Sequence, residues 1–185
     1  VYSLLKVFVI PSAVSTVSAN TTSSTTASST ASTSTGKVTK TDTTYKDDNM
    51  DIKITTGKTS DTTYYVADIQ LSSADYLKTA LAQNTYGTNI TDTTSSIAQQ
   101  NNAIFAINGD YYGANQSGYV IKNGQVYRDT DRNSDYEDLA VYSDGSFKTF
   151  KESDTTAQKL VDSGVVNTFA FGPTLVENGK IAVSE

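Results

Sequence analysis

The stretch Ala103-Ile-Phe-Ala-Ile-Asn-Gly-Asp-Tyr-Tyr112 decides how the rest of this chain reads. An apolar run of strand type, Ala103 to Ile107, ends abruptly in Asn108-Gly109-Asp110 and two tyrosines. A run of this kind is expected to be buried, which would hold the polar cluster at the rim of a sheet on a rigid support. Strand ends are favoured ligand positions because the strand fixes geometry while its end stays open. A strand that simply finishes in an Asn-Gly turn is the competing reading.

Outward from this stretch the chain is rich in strand and turn signals. Asp51 to Thr55 alternates as a half-buried strand would, and Thr62 to Leu71 is β-rich. Ser72-Ser-Ala-Asp75 reads as a capping box ahead of a short helix with Leu77, Ala80 and Leu81 as its apolar stripe. A second helix is predicted over Thr93 to Asn101, capped by threonine and packing through Ile97 and Ala98. Three hairpins carry their own turn chemistry at Asn123-Gly124, Asp144-Gly145 and Asn178-Gly179, since these pairs accept positive φ. Between the last two, Ala157, Leu160 and Val161 have helical spacing and Gly164 suits a helix end, after which strand resumes from Val165 to Phe171. The expected fold is α+β: a mixed or largely antiparallel sheet with several hairpins and short interspersed helices.

The front of the chain has a different character. Val1 to Ile10 is apolar apart from Lys6 and is followed by Pro11. It is half the length of a membrane span, so residues 1–11 read as the remnant of a membrane anchor or of a signal segment, in preference to a strand of the folded domain. Ser12 to Thr35 is almost wholly Ser, Thr and Ala. Such a segment cannot bury enough apolar surface to offset its ordering entropy, so residues 12–43 are expected to form a disordered stalk. The folded part, residues 44–185, would then lie outside the membrane, extracellular and either tethered or secreted.

Composition narrows the chemistry. With 14 basic and 20 acidic residues the net charge is −6, and no basic stripe is present to neutralise nucleic-acid phosphates. There are no cysteines and no histidines, which excludes thiolate and imidazole chemistry within these residues. Acid–base work must fall to Asp, Glu, Tyr or Lys, as is common in glycoside hydrolysis. Asp129, Asp131 and Asn133 place oxygen ligands at alternate positions and are the candidate calcium ligands. Ser134 and Ala140 stand where an EF-hand needs glycine and a bidentate glutamate, so a solvated acidic loop without cofactor is the preferred reading. Arg128 and Arg132 could grip a phosphodiester, although surface ion pairs with the nearby aspartates compete.

The ordered set AINGDYYG, GYVIKNGQVYR, DLAVYSDGSFKTF and FAFGPTLVENGK resembles the phosphodiester glycosidase family, from about Tyr64 to Ile181. That family includes the lysosomal uncovering enzyme, which removes N-acetylglucosamine from a phosphodiester on mannose. The resemblance implies a substrate with a sugar joined through its anomeric carbon to a phosphodiester, as in wall or surface glycans. It implies Asp110 as a catalytic or sugar-orienting carboxylate, with Asn108 its hydrogen-bonding partner. Gly109, Tyr111, Tyr112, Gly172 and Pro173 are the accompanying substrate-binding candidates, the tyrosines by stacking or phenol contacts and Phe171-Gly172-Pro173-Thr174 by its backbone. Family members continue past the FGP segment into an arginine-containing strand, an Asp-Gly-Arg segment and a glycine-rich Asp segment. This chain is therefore expected to be an N-terminal portion that shows no turnover alone. A non-catalytic glycan-binding module, or a structural surface domain on a stalk, are the alternatives.

Overall fold

The structure is a computed structural model that describes residues 37–132 and 135–183, with the backbone strand at residues 6–9. It divides into two compact units, residues 11–72 and residues 1–10 with 73–185. Every strand ladder described is antiparallel, as the sequence led us to expect of an α+β chain. The single folded domain expected from residue 44 onward is thus two bodies. Among the described residues no helix is long and apolar enough to cross a membrane.

The first unit is a four-stranded meander. β2 (Thr39–Lys40), β3 (Thr44–Lys46), β4 (Met50–Lys58) and β5 (Thr63–Leu71) follow one another in sheet order. Residues 39–43 were expected in the stalk, but Thr39 and Lys40 pair with Lys46 and Tyr45, so the sheet begins earlier. Thr41 accounts for this: its side chain accepts from the Thr43 and Thr44 amides and closes the turn between β2 and β3. Residues 12–36 of the predicted stalk lie outside the described residues. Met50 and Ile52 are buried two residues apart, the period of one sheet face. At Gly57 the Tyr64 ring of the facing strand occupies the place a side chain would take, with a Cβ only 2.2 Å from it. A larger residue there would have to displace the half-exposed Tyr64 ring.

The second unit contains two main sheets. In one, β1 (Lys6–Val9) lies between β6 (Leu77–Ala80) and β7 (Phe105–Asn108). This differs from the anchor or signal reading of residues 1–11: over Lys6–Val9 the backbone takes the strand alternative. The helix expected through Leu77, Ala80 and Leu81 is also corrected. Ser73 does cap, accepting from the Asp75 amide, but only a single 3₁₀ turn (Ala74–Tyr76) follows before β6. Thr79 decides the matter, because its buried hydroxyl donates to Asn167 Oδ1 at 2.9 Å while its amide donates to Asn123. An amide committed to Asn123 does not serve a helical ladder.

The other sheet has β10 (Glu137–Tyr142) between β11 (Phe147–Lys151) and β12 (Val165–Phe169). Its core joins Tyr119, Ile121, Ala140, Ala157, Leu160 and Val165, with Val126, Tyr142, Phe150 and Val161 packed on it. Helix α2 (Ala157–Asp162) supplies two of these, capped by Thr156 and ended near Gly164 at φ +99, where only glycine is unstrained. Burying Leu160 stabilises by roughly 2 kcal/mol. Helix α1 (Thr94–Gln100) has its Thr93 cap and its fully buried Ile97, both as expected.

The hairpin of β8 (Val120–Lys122) and β9 (Gln125–Arg128) turns through Asn123 at φ 50 and Gly124 at φ 80. The same geometry recurs at Asn178 and Gly179, between β13 (Val176–Glu177) and β14 (Lys180–Ile181). β8 lies against β12 through side chains. Thr168 Oγ1 accepts from the Ile121 amide and donates to the Tyr119 carbonyl, while Asn167 Oδ1 accepts from the Asn123 amide. All three β8 residues are buried. Central placement of β1 carries a consequence: Val7→Pro removes a ladder donor from between β6 and β7. The midpoint of urea unfolding should fall clearly, and an unchanged midpoint would show that β1 contributes nothing to the unit.

Candidate functional site

The candidate site forms where β7 and β12 end. β7 is less enclosed than its apolar sequence implied. Phe105 and Ala106 are half-buried, whereas Ile107 and Asn108 are exposed. The chain then turns inward, so that Asp110 is only 3% exposed. Its Oδ2 accepts from the Ala170 amide at 2.9 Å, one residue past β12, and its Oδ1 stands 3.5 Å from Lys122 Nζ. One carboxylate thus joins the AINGDYY segment to the FAFGP segment, which are 60 residues apart.

Lys122 is the buried counter-charge. Its ammonium donates to the Thr168 carbonyl at 2.5 Å and lies 4.3 Å from the centre of the Phe169 ring. Burial pulls it down from 10.5 to about 8, and Asp110 opposes that fall. Oδ1 of Asp110 has no hydrogen-bond partner beyond this ion pair.

The paired tyrosines separate where the chain enters the 3₁₀ turn Tyr112–Ala114. Tyr112 is buried, stacked on Tyr86 at 5.4 Å between centroids, and Tyr86 meets Tyr127 at 5.1 Å. Burial and then the Asp110 charge push the Tyr112 phenol up to about 12. Tyr111 is exposed and meets Phe171 edge-on at 6.4 Å. Between them opens a cleft of about 340 Å³ lined by Tyr111, Tyr112, Asn115, Arg132, Ala170, Phe171 and Gly172. A second cleft of about 430 Å³ has Phe171 and Gly172 in common with it and continues along Pro173 to Val176, with Glu137, Asp138, Leu139 and Thr149 opposite.

Of the residues singled out in the sequence, Tyr111, Tyr112 and Gly172 line the first cleft, and Gly172 and Pro173 the second. Asn108, Gly109 and Asp110 line neither. Asp110 lies beneath, engaged with Lys122 and Ala170. Asp129 and Asp131 are exposed, Asn133 lies outside the described residues, and among those described no three carboxylates converge on a metal position.

The two arginines are not surface partners of the adjacent aspartates. Arg128 donates to the carbonyls of Gly118, Tyr112 and Asn115, which ties the loop after Tyr112 to β9. Arg132 enters a buried carboxylate cluster. Its Nη2 pairs with Asp138, its Nε stands 3.6 Å from Glu152, and its backbone amide donates to Glu152 Oε2. Glu152 Oε1 also accepts from the Tyr119 amide at 2.5 Å. Burial pushes the Asp138 carboxyl up to about 7, helped by its hydrogen bond to Glu152 and resisted by Arg132.

Sequence reading missed Lys122, Asp138 and Glu152. Only Asp138 left a signal: it stands two residues before the apolar Ala140 on a strand, hence on the same inward face. Lys122, just before an Asn-Gly turn, reads as a surface lysine.

Residues 101–185 match the phosphodiester glycosidase family. Both clefts lie in this matched part, whereas residues 64–100, which also entered the resemblance, fall outside it. A relative is the SPbeta prophage-derived uncharacterized protein YomE of Bacillus subtilis (strain 168), 31% identical over 99 residues, 51% of this chain and 15% of YomE. The match thus spans under a sixth of that relative's length. No solved structure matches the chain.

Two outcomes follow for the buried charges. Asp110→Asn leaves Lys122 without its counter-charge and should lower unfolding stability by about 3 kcal/mol, while adding Lys122→Met should restore part of the loss. Additive losses in urea titrations of the single and double variants would contradict the pairing. Asp138 has a folded pKa raised from 3.8 to about 7, so the folded state holds the extra proton between these values. Its contribution is complete below about pH 4 and is lost as pH rises through about 7. Against Asp138→Asn, the native chain should lose stability across that window; parallel pH profiles would show that the proton is not held.

Proposed function

We propose that this chain is part of a phosphodiester glycosidase-like protein that takes a sugar-1-phosphodiester in the clefts meeting at Phe171 and Gly172. The carrying observation is the Asp110–Ala170 hydrogen bond, which brings AINGDYY and FAFGP together inside the matched region. Tyr111 and Phe171 offer exposed aromatic surface at the mouth, suited to the apolar face of a sugar ring. A phosphodiester is a good leaving group, so breaking its bond to the anomeric carbon needs little acid help. The demand is for stabilisation of an oxocarbenium-like sugar and of the departing anion. In this reading Asp110 holds the cleft's floor in place through the Ala170 amide and its pairing with Lys122, rather than acting as an exposed nucleophile. Asn108 and Gly109 set the turn that delivers it.

The stalk composition of residues 12–35 supports export, and wall or surface glycans are then the accessible substrates. We infer an extracytoplasmic location, tethered or secreted, on that composition alone. A glycan-binding module without turnover is the second reading. It draws on one observation: among the described residues no carboxylate lines the first cleft.

The test is titration of the protein with an N-acetylglucosamine-1-phosphodiester, following amide resonances, together with a reducing-sugar assay on everything the gene encodes. Shifts at Tyr111, Phe171 and Gly172 with sugar release are expected. Shifts without release would favour the binding module, and binding elsewhere would sink both readings.

A further inference from the structure

The first cleft is electrostatically unusual for so acidic a chain. The chain carries a net charge of −6, yet among the described residues Arg132 is the one charged residue on this lining. The residues around it are three aromatics, Asn115, Ala170 and Gly172. We propose that Arg132 is the anion-binding residue of this cleft, receiving the phosphate oxygens of a phosphodiester on the open end of its guanidinium. This rests on the proposed sugar-phosphodiester reading for the identity of the ligand, but not for the anion site itself.

Four constraints fix the side chain. Asp138 holds Nη2, Glu152 faces Nε at 3.6 Å, and Glu152 Oε2 also accepts from the Arg132 backbone amide at 2.6 Å. Gly118, at φ +102, makes room for the stem: a Cβ there would stand 3.1 Å from Arg132 Cδ. The carboxylates therefore occupy the Nε–Nη2 side. Nη1 forms no hydrogen bond among the described residues, and the side chain keeps 21% of its exposure. A guanidinium fixed along one side and open at its end is pre-organised for a bidentate oxyanion contact, which a lysine cannot reproduce.

Charge balance favours the same ligand. Asp138 and Glu152 are both buried, and burial together with Glu152 favours a proton on Asp138. With that proton in place Arg132 and Glu152 balance, and the Arg132 charge is not overwhelmed by two carboxylates. Removing the Asp138 charge should accordingly strengthen anion binding rather than weaken it. A purely structural ion pair has no such effect. Asn115, whose carbonyl fastens to Arg128, stands on the same lining with an amide that can donate to a second phosphate oxygen.

The test uses dimethyl phosphate, inorganic phosphate and an N-acetylglucosamine-1-phosphodiester as probes. Titration of the unmodified protein should shift the Arg132 Nε–H resonance, with the diester sugar binding more tightly than dimethyl phosphate. Arg132→Lys, checked for folding by circular dichroism, should weaken diester binding by about tenfold or more, the scale of a charge-assisted pair. Above about pH 7, where Asp138 carries its charge, Asp138→Asn should bind the diester several-fold tighter than the native chain; equal or weaker binding there would overturn the assignment, which keeps the test decisive if the lysine variant does not fold. Saturable binding with an unmoved Arg132 resonance, unchanged affinity in Arg132→Lys, or no binding of any probe would each overturn the assignment. Tighter binding of inorganic phosphate than of either diester would overturn the diester assignment. Dimethyl phosphate carries no sugar, so its binding through Arg132 survives even if the glycosidase reading fails.

Discussion

The buried contact between Asp110 and Lys122 is the constraint on which the site depends. A carboxylate and an ammonium removed from water lose several kcal/mol of hydration each, and they are tolerated only when paired and hydrogen-bonded. Here Asp110 takes the Ala170 amide, and Lys122 takes the Thr168 carbonyl and the face of Phe169. Each charge is thereby fastened to the last residues of β12 or those just beyond. The result is a junction in which the ends of β7 and β12 meet over the Lys122 side chain of β8. Tyr111 and Phe171, one residue beyond each side of the Asp110–Ala170 bond, are left facing one another at the mouth of the cleft.

A second buried cluster complements the first. Asp110 and Lys122 are one charge against one, whereas Asp138 and Glu152 set two carboxylates against Arg132. Burial and the neighbouring Glu152 raise the Asp138 carboxyl, which favours relief of the surplus by a proton. That difference separates their roles: the balanced pair fixes backbone, and the proton-holding cluster presents an arginine to a cleft. Polar satisfaction between β8 and β12 follows the same economy. Thr168 and Asn167 side chains take the Ile121 amide of β8 and the Tyr119 carbonyl and Asn123 amide on either side of it, and all three β8 residues are buried.

Much of the fold was legible because its signals are local. Asn123-Gly124 and Asn178-Gly179 adopt the positive φ their residue types favour, and Thr93 and Thr156 cap the two helices whose apolar spacing announced them. Leu77 to Leu81 was misread because a capping signal and a helical spacing coincided, while the deciding partners of Thr79 lie 44 and 88 residues away. The site was half legible. AINGDYY and FGPT are recognisable as strand ends, and Tyr111 faces the cleft while Tyr112 packs. Asp110 could not be read as buried, since its environment is made by Lys122 and Ala170 from other strands. Arg132 and Glu152 likewise acquire their roles only where a loop and a strand end converge.

Amide hydrogen exchange at Ala170 interrogates the junction directly, because its donor goes to Asp110 and to no strand partner. If Asp110 holds the two segments together, the Ala170 amide exchanges slowly in the native chain. It should become fast in Asp110→Ala, while the Ile121 amide, held by Thr168, remains protected. Equal exchange at Ala170 in both proteins would mean that the two segments meet without Asp110, and that the cleft owes its form to something else.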